Sequence, residues 1–227
     1  FDVLPYAQQL NAVLRRHEKA FGLPRKLKIG FFASPCEEFT AAIQDLGFLA
    51  VKQDGRRGFK VYGGGGMGRE SSIGVKLFDF LPEDQYIRCA AAMVDLFNDH
   101  GDRQNRNRAR IRFIIQNIGA DAFIKLFMEY FGKAHAAAPE TFKEIDYAKT
   151  GSGKHFQDEV KGKGFDEWRA HAVLPTGLGN DLFSVRLYVP YGNLNIEQMR
   201  RIATLSDDFG GGFLRFLSSQ DILISPV

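Results

Sequence analysis

A proline inside a short basic run sets the strongest constraint on this chain. In Leu23-Pro24-Arg25-Lys26-Leu27-Lys28, the Pro24 ring fixes its own φ and pushes Leu23 into an extended conformation. A helix that ends near Phe21-Gly22 therefore turns into a strand here, and the apolar run Ile29-Gly30-Phe31-Phe32-Ala33 continues it. Side chains alternate along a strand, which puts Lys26 and Lys28 on one face, about 7 Å apart, and Leu27 and Ile29 on the other. Two ammonium groups held on a rigid element form a small anion clamp. The same pattern also describes a solvated edge strand whose lysines discourage pairing with other chains.

The 227 residues suffice for one large domain, or for a domain plus a smaller one. A hydrophobic fraction of 44%, with 21 Phe, supports a sizeable core and excludes a disordered chain. The formal net charge of +3 is too small to argue for nucleic acid, so any anion preference has to come from local clusters. Cys36 and Cys89 are the only cysteines, far apart and in no CxxC arrangement, which fits free thiols in a reducing, cytoplasmic compartment. No signal peptide is recognisable and no apolar run is long enough to span a bilayer, so no membrane partner is expected. The chain starts at Phe1 without a Met and stops at Val227 directly after a strand-like run, and it reads as a piece of a longer protein.

Residues 5–21 carry Tyr6, Leu10, Val13, Leu14 and Phe21 at helical spacing, with Arg15, Arg16, His17 and Lys19 on the remaining face. Ser34-Pro35-Cys36-Glu37-Glu38 starts a short helix, with Ser34 as N-cap, Pro35 at the first position and two acids in the first turn. That helix ends near Asp45-Leu46-Gly47. Residues 46–52 and 59–62 are short strands joined through Gln53-Asp54-Gly55-Arg56-Arg57, where Asp-Gly marks a hairpin turn. The second strand runs into Gly63-Gly64-Gly65-Gly66-Met67-Gly68-Arg69. So much glycine is costly in backbone entropy; it suits a main chain that passes very close to something, or a flexible surface loop. A GxGxxG match lies inside it, but the acidic residue of a dinucleotide unit has no counterpart about 20 residues further on.

Pro82-Glu83-Asp84 opens a helix through Ile87, Ala90, Ala91, Val94, Leu96 and Phe97 that stops near His100-Gly101. Asp102-Arg103-Gln104-Asn105-Arg106-Asn107-Arg108-Ala109-Arg110-Ile111-Arg112 follows. Read as a helix, it gathers Arg103, Arg106 and Arg110 on one face and Arg108 and Arg112 on another. Such a helix serves as an RNA-binding face, as a clamp for an anionic cofactor, or as a solvated surface paired with acids. Residues 113–118 and 121–131 complete two more apolar-striped helices. From 132 to 180 the chain becomes Ala-rich, then Lys- and Gly-rich, as a long connection between two modules. Within it, Thr150-Gly151-Ser152-Gly153-Lys154-His155 imitates a phosphate loop, but Ala148 replaces the first glycine, His155 replaces the final Ser/Thr, and no buried strand precedes it. Residues 182–189 alternate as a strand. Asn195-Ile196-Glu197 begins a helix with Met199, Ile202, Ala203 and Leu205 that ends near Phe209-Gly210. Residues 213–217 and 222–224 are two more strands around Ser218-Ser219-Gln220-Asp221. This βαββ unit has too few strands to close a sheet alone.

Three stretches together resemble the siroheme-dependent nitrite and sulfite reductases. They are the basic run 23–28 with Asp45-Leu46-Gly47-Phe48 downstream, the glycine run 64–68 with the arginine segment 101–110, and the terminal unit 185–227. The resemblance implies an α+β protein: residues 1–131 as the family's first large repeat, a mixed sheet with helices; residues 132–180 as a connection; and residues 181–227 as a ferredoxin-like βαββ half domain. It implies siroheme and a [4Fe–4S] cluster in the parent enzyme, with the cluster cysteines in a second large repeat outside this chain. In that repeat a Cys-Pro-x-x-x-Cys turn opens the cluster helix. Here the matching turn puts Ser34 and, five positions on, Phe39 where the thiolates would stand, so Cys36 is a bystander and no metal ligand is expected on this chain.

By the same resemblance, Lys26 and Lys28 are the catalytic pair, binding sulfite or nitrite at the open side of the iron and passing protons during a six-electron reduction. Arg25 pairs with siroheme carboxylates. Gly64, Gly65, Gly66 and Met67 bring the backbone against the macrocycle. Arg103 and Arg106 line the basic side of the pocket or pair across modules. Gln220 matches a position near the cofactor, although Leu217 stands where Thr is frequent and Asp221 where Asn is frequent. Lys28, where plant nitrite reductases show Asn, favours the more highly charged sulfite. The implied partners are sulfite or nitrite, the remaining half of the parent enzyme, and an electron donor such as ferredoxin or a flavoprotein. Two other readings stand beside this one: a non-catalytic assembly fragment without cofactor, whose half domain leaves an open edge, and an RNA-binding module built on the arginine helix.

Overall fold

The computed structural model describes residues 1–68, 70–135, 162, 164–176 and 182–227, in two units, Phe1–Lys143 and Glu144–Val227. In the first unit, α1 (Leu4–Leu14) stops well before Phe21. After Leu14 come Arg15-Arg16-His17-Glu18-Lys19, with nothing apolar to bury, and the chain proceeds in turns closed by Ala20 N–H to His17 O and Gly22 N–H to Lys19 O. The strand expected from residue 23 begins only at β1 (Ile29–Phe32). Leu46 N–H still bonds Lys28 O at 3.1 Å, but the Lys28 N–H goes to the Asp45 carboxylate at 2.8 Å instead of to a neighbouring strand.

A four-stranded sheet follows, in the order β1, β2 (Leu46–Gln53), β3 (Arg56–Gly63), β4 (Val75–Pro82). β1 and β2 run parallel, and the crossover between them holds a tight turn at Pro35–Glu37 and α2 (Glu38–Ala42). The expected cap is there: Ser34 Oγ accepts the Cys36 N–H at 3.4 Å, and the Glu37 carboxylate accepts the Ser34 N–H at 3.2 Å. Asp54 and Gly55, at φ of 52° and 76°, form the two-residue turn between β2 and β3, whose mirror-image twist matches that of the strands. β4, which the sequence pattern does not mark as a strand, pairs antiparallel with β3 through two register shifts. Those irregularities break the strict alternation that marks a strand.

Leu46, Phe48 and Ala50 of β2 join Phe59 and Val61 of β3 in the main core, together with buried residues of α3 (Tyr86–His100), α4 (Ile111–Ile118) and α5 (Ala120–Lys133). Phe31 stacks on Phe48 at 4.8 Å, and Phe59 meets Phe48 edge-on at 5.6 Å. Each such pair adds about 0.5–1.5 kcal/mol beyond its area. The alternate β2 positions turn to α2, where a Cβ on Gly47 would lie 2.1 Å from the Ala41 carbonyl oxygen.

The arginine-rich helix expected over 102–112 is not formed. The Asp102 carboxylate accepts the backbone N–H groups of Gln104 and Asn105, both at 2.8 Å, and Asn105 Oδ1 accepts that of Asn107 at 3.1 Å. These side chains offer the backbone a turn in place of the helix ladder. Only a 3-10 turn at Arg106–Arg108 precedes α4. The helical face that would gather Arg103, Arg106 and Arg110 is therefore not formed.

In the second unit, α6 (Phe165–Ala172) and β5 (Val173–Pro175) lie inside the stretch expected to be a plain connection. β5 pairs with β6 (Phe183–Leu187), and α7 (Ile196–Phe209), β7 (Leu214–Phe216) and β8 (Ile222–Ile224) complete the unit. The sheet is antiparallel in the order β5-β6-β8-β7, so the βαββ unit gains a fourth strand. Asn195 caps α7 in a reciprocal box with Gln198. The phosphate-loop imitation at 150–155 lies outside the described residues.

Candidate functional site

Asp45 is where the first unit's candidate segments meet. Its side chain is 1% exposed and forms a two-point ion pair with Arg110, through Nε at 3.1 Å and through Nη2. The same carboxylate holds the Lys28 N–H, while the Asp45 backbone carbonyl accepts the Gly64 N–H at 2.8 Å. One buried acid thus ties the basic run, the glycine run and the arginine segment together. Arg110 supplies a matching planar fork, the geometry in which a buried charge pair is best satisfied. Neither residue is singled out as a site residue in the sequence, although Asp45 opens the Asp45-Leu46-Gly47-Phe48 stretch and Arg110 ends the arginine segment that carry the resemblance.

Arg25, Lys26, Arg103 and Arg106 come together, with Leu23, Pro24 and Asp102, around a cavity of about 520 Å³. Two of these arginines also hold its walls in place. Arg103 donates to Gly22 O at 2.9 Å, to Asn98 O at 3.1 Å and to Asn98 Oδ1 at 2.9 Å, and Arg25 donates to Arg106 O at 3.0 Å. Lys26 is exposed at the rim, whereas Lys28 is half-buried and does not line this cavity.

Gly63 to Gly66 are buried. Gly64 has φ of 77°, and a Cβ on Gly65 would stand 2.2 Å from Ala42 O. The close approach that the glycine content requires is thus made within the chain, against the end of α2 and the start of α4. Met67, 60% exposed, is the side chain this turn offers outward. In the second unit Gln220, at φ of 72°, packs against Gly192. Beside it the buried Asp221 accepts from Val189 N at 3.1 Å, from Arg186 Nε and Nη2 at 2.9 and 2.6 Å, and from Ser219 Oγ at 2.9 Å. The Val189 N–H, then Arg186 and Ser219, hold its carboxyl below the usual range. An aspartate at 221 forms a charge pair with Arg186, where an asparagine would keep only a neutral acceptor.

The family model for the nitrite and sulphite reductase 4Fe-4S domain matches residues 1–135, and that for the nitrite/sulfite reductase ferredoxin-like half domain matches residues 177–227. The chain belongs to the nitrite and sulphite reductase family. A ferredoxin–nitrite reductase of Synechococcus elongatus is 28% identical over 221 residues, covering 96% of this chain and 39% of that protein. A sulfite reductase (NADPH) hemoprotein beta-component of Nitrosomonas europaea is 27% identical over 233 residues, covering 98% and 36%. The NirA protein of Mycobacterium tuberculosis shares the fold, with a TM-score of 0.69 at 21% identity over 97% of this chain and 37% of that one. This family member therefore spans well under half the length of the curated relatives it matches.

A four-thiolate cluster does not fit this stretch of the nitrite and sulphite reductase fold. Of its two cysteines Cys36 is exposed, and Cys89 is fully buried with its thiol pushed far up by desolvation. Glu38, beside this turn, accepts from Lys60 Nζ at 2.8 Å and from Tyr62 Oη, which hold its carboxyl low. Among the described residues no His, Cys, Asp and Glu cluster could hold a metal, and no helix is long and apolar enough to cross a membrane. An anionic tetrapyrrole does fit the donor set. Basic side chains line the cavity, and Arg112, against Gly66, carries buried N–H groups with no partner.

Proposed function

We propose that this chain is the lysine- and arginine-bearing side of a siroheme and [4Fe–4S] reductase that reduces sulfite, or nitrite, by six electrons. The Asp45 junction carries this reading, since it fixes the Lys28 backbone, the glycine turn and the arginine segment with respect to one another. Siroheme, when bound, supplies the electron-transfer chemistry, and the protein supplies charge and position. Arg25, with Arg103 and Arg106 behind it, faces the macrocycle's carboxylates, and Gly64, Gly65, Gly66 and Met67 form the turn against its rim. Lys26 and Lys28 hold the oxyanion and deliver protons to its oxygens. In the second unit Gln220 is the cofactor-facing residue. Two ammonium groups favour sulfite over the singly charged nitrite.

The cluster cysteines, the remaining half of the enzyme and an electron donor such as ferredoxin or a flavoprotein come from elsewhere. A reducing cytoplasm accords with two unpaired thiols. In the assembled parent enzyme driven by a reduced viologen dye, Lys26→Ala is expected to lower kcat/KM for sulfite by about 100-fold, the scale of one general acid. Lys28→Asn is expected to move the sulfite-to-nitrite preference toward nitrite. If both variants keep wild-type rates, the lysine pair is not the substrate clamp.

A second reading, a non-catalytic assembly fragment, is favoured by apolar side chains left open on α7, with Ile196 at 72% and Met199 at 57% exposure. A siroheme absorption band together with sulfite reduction by the purified chain rules that reading out.

A further inference from the structure

β1 stands at the edge of its sheet. Among the described residues it pairs with β2 alone, and its four residues are half-buried. Lys28 turns both of its backbone groups to the β2 side, its C=O to the Leu46 N–H and its N–H to the Asp45 carboxylate. Backbone groups alternate sides along a strand, so the N–H and C=O of Ile29 and Phe31 point out of the open edge. Ile29-Gly30-Phe31-Phe32 carries neither charge nor proline, the usual devices that keep an edge from pairing. The face beneath this edge is open too. Leu27, Ile29 and Phe31, at alternate positions, look across a cavity of about 230 Å³ at Ala7, Asn11 and Leu14, which share one face of α1. Asn11, Leu14, Leu27 and Ile29 also line a second cavity of about 420 Å³, which continues the first toward the basic run. There the lining becomes charged, with Arg15, Arg25 and Lys26, and Phe21 stands 80% exposed at the same end.

An extended strand laid beside β1 meets all three features. Its main chain pairs with the open groups of Ile29 and Phe31, every second side chain enters the apolar groove, and a carboxylate at its end reaches Arg15 and Lys26. A small amphiphile would fill the groove but leave the edge groups to water. Permanent interfaces are depleted of charge at their centre, so a charged and exposed mouth suits a contact that forms and releases. We propose that β1 and the α1 groove dock an extended segment of a separate partner protein, apolar at alternate positions and acidic at the end beside Arg15 and Lys26. Neither siroheme nor the reduction enters into this contact.

The test uses the full 227-residue chain, labelled with 15N, and two capped peptides in which valine and threonine alternate. One carries two aspartates at its N-terminal end, the other at its C-terminal end; a third peptide of the same composition has its valines adjacent. Hydrogen exchange is followed at the Ile29 and Phe31 amides, with Gly30 and Phe32, whose N–H groups face β2, as the internal reference. One alternating peptide is expected to slow Ile29 and Phe31 by about 10-fold once it exceeds its dissociation constant about tenfold, leaving Gly30 and Phe32 unchanged. Arg15→Glu, at an exposed position, should weaken that binding by roughly 5-fold. No slowing at about 5 mM peptide, equal slowing by the third peptide, or wild-type binding by Arg15→Glu overturns the docking site. So does slow exchange of Ile29 and Phe31 before any peptide is added, in the chain alone or, by mass spectrometry, in the assembled parent enzyme, because a second copy or the remaining half then already fills the edge. Sodium octanoate that shifts the groove signals where neither peptide slows exchange assigns a small amphiphile and overturns it as well.

Discussion

At the scale of single residues, two buried aspartates make testable demands. Asp45→Asn keeps the shape of the junction but leaves Arg110 as a buried charge with half a partner, so it is expected to cost about 3–5 kcal/mol in urea unfolding. Adding Arg110→Met to that variant should recover part of the loss, because the orphaned charge goes with it. If Asp45→Asn unfolds at the wild-type midpoint, the junction is not what joins the three segments. Asp221 tests pH. Its carboxyl is held below the ordinary aspartate value of about 3.9. A depressed folded-state value means stability that is fully present above the unfolded value and lost as pH falls through the folded one. The thermal midpoint gap between wild type and Asp221→Asn should thus stay constant at neutral pH and shrink below about pH 4. A gap independent of pH would show that the Val189 and Arg186 bonds do not favour the ionised form. Neither aspartate is readable as a site residue from sequence, since the arginine each pairs with lies 65 or 35 positions away.

At the scale of elements, glycines that look alike in the sequence separate by what surrounds them. Gly65→Ala drives a Cβ to 2.2 Å from the Ala42 carbonyl oxygen, which is backbone and cannot step aside, so a loss of about 1–3 kcal/mol is expected. Gly132→Ala, inside α5 with open space around it, should instead gain up to about 1 kcal/mol of helix propensity. Thermal midpoints moving in opposite directions are the check, and a neutral Gly65→Ala would make the turn a loose surface loop after all. Elements set by local chemistry are legible: the Asp54-Gly55 turn, the Ser34 cap, the start of α7 at Asn195, and the stops of α3 and α7 at glycine. Those decided by competition were not. Asp102 and Asn105 outbid the helix for their backbone N–H groups, Asp45 took the Lys28 N–H from the strand, and the register shifts of β4 blurred its alternation. The basic cavity was half legible: Arg25, Lys26, Arg103 and Arg106 converge, but through walls that the arginines themselves build.

At the scale of the whole molecule, the chain matches well under half of each relative, and its second unit leaves large apolar side chains in water. Ile196 and Met199 stand three positions apart on α7, hence on one helical face, at 72% and 57% exposure; Phe216 on β7 is 79% exposed. Monomeric proteins seldom tolerate such side chains in groups, because each keeps the cost of hydrating its apolar surface. In the proposed parent enzyme, the remaining half of the protein removes that cost. Without it, two copies of the chain can do so only by covering each other. The isolated chain is therefore expected to self-associate at concentrations on the order of 100 μM, where a patch-to-patch contact of millimolar to micromolar strength becomes populated. Ile196→Lys with Met199→Lys should give a monomer by sedimentation with unchanged far-ultraviolet circular dichroism, since both side chains already face solvent. A wild-type chain that stays monomeric at that concentration would mean the α7 face needs no cover, and the fragment reading would lose its main physical support.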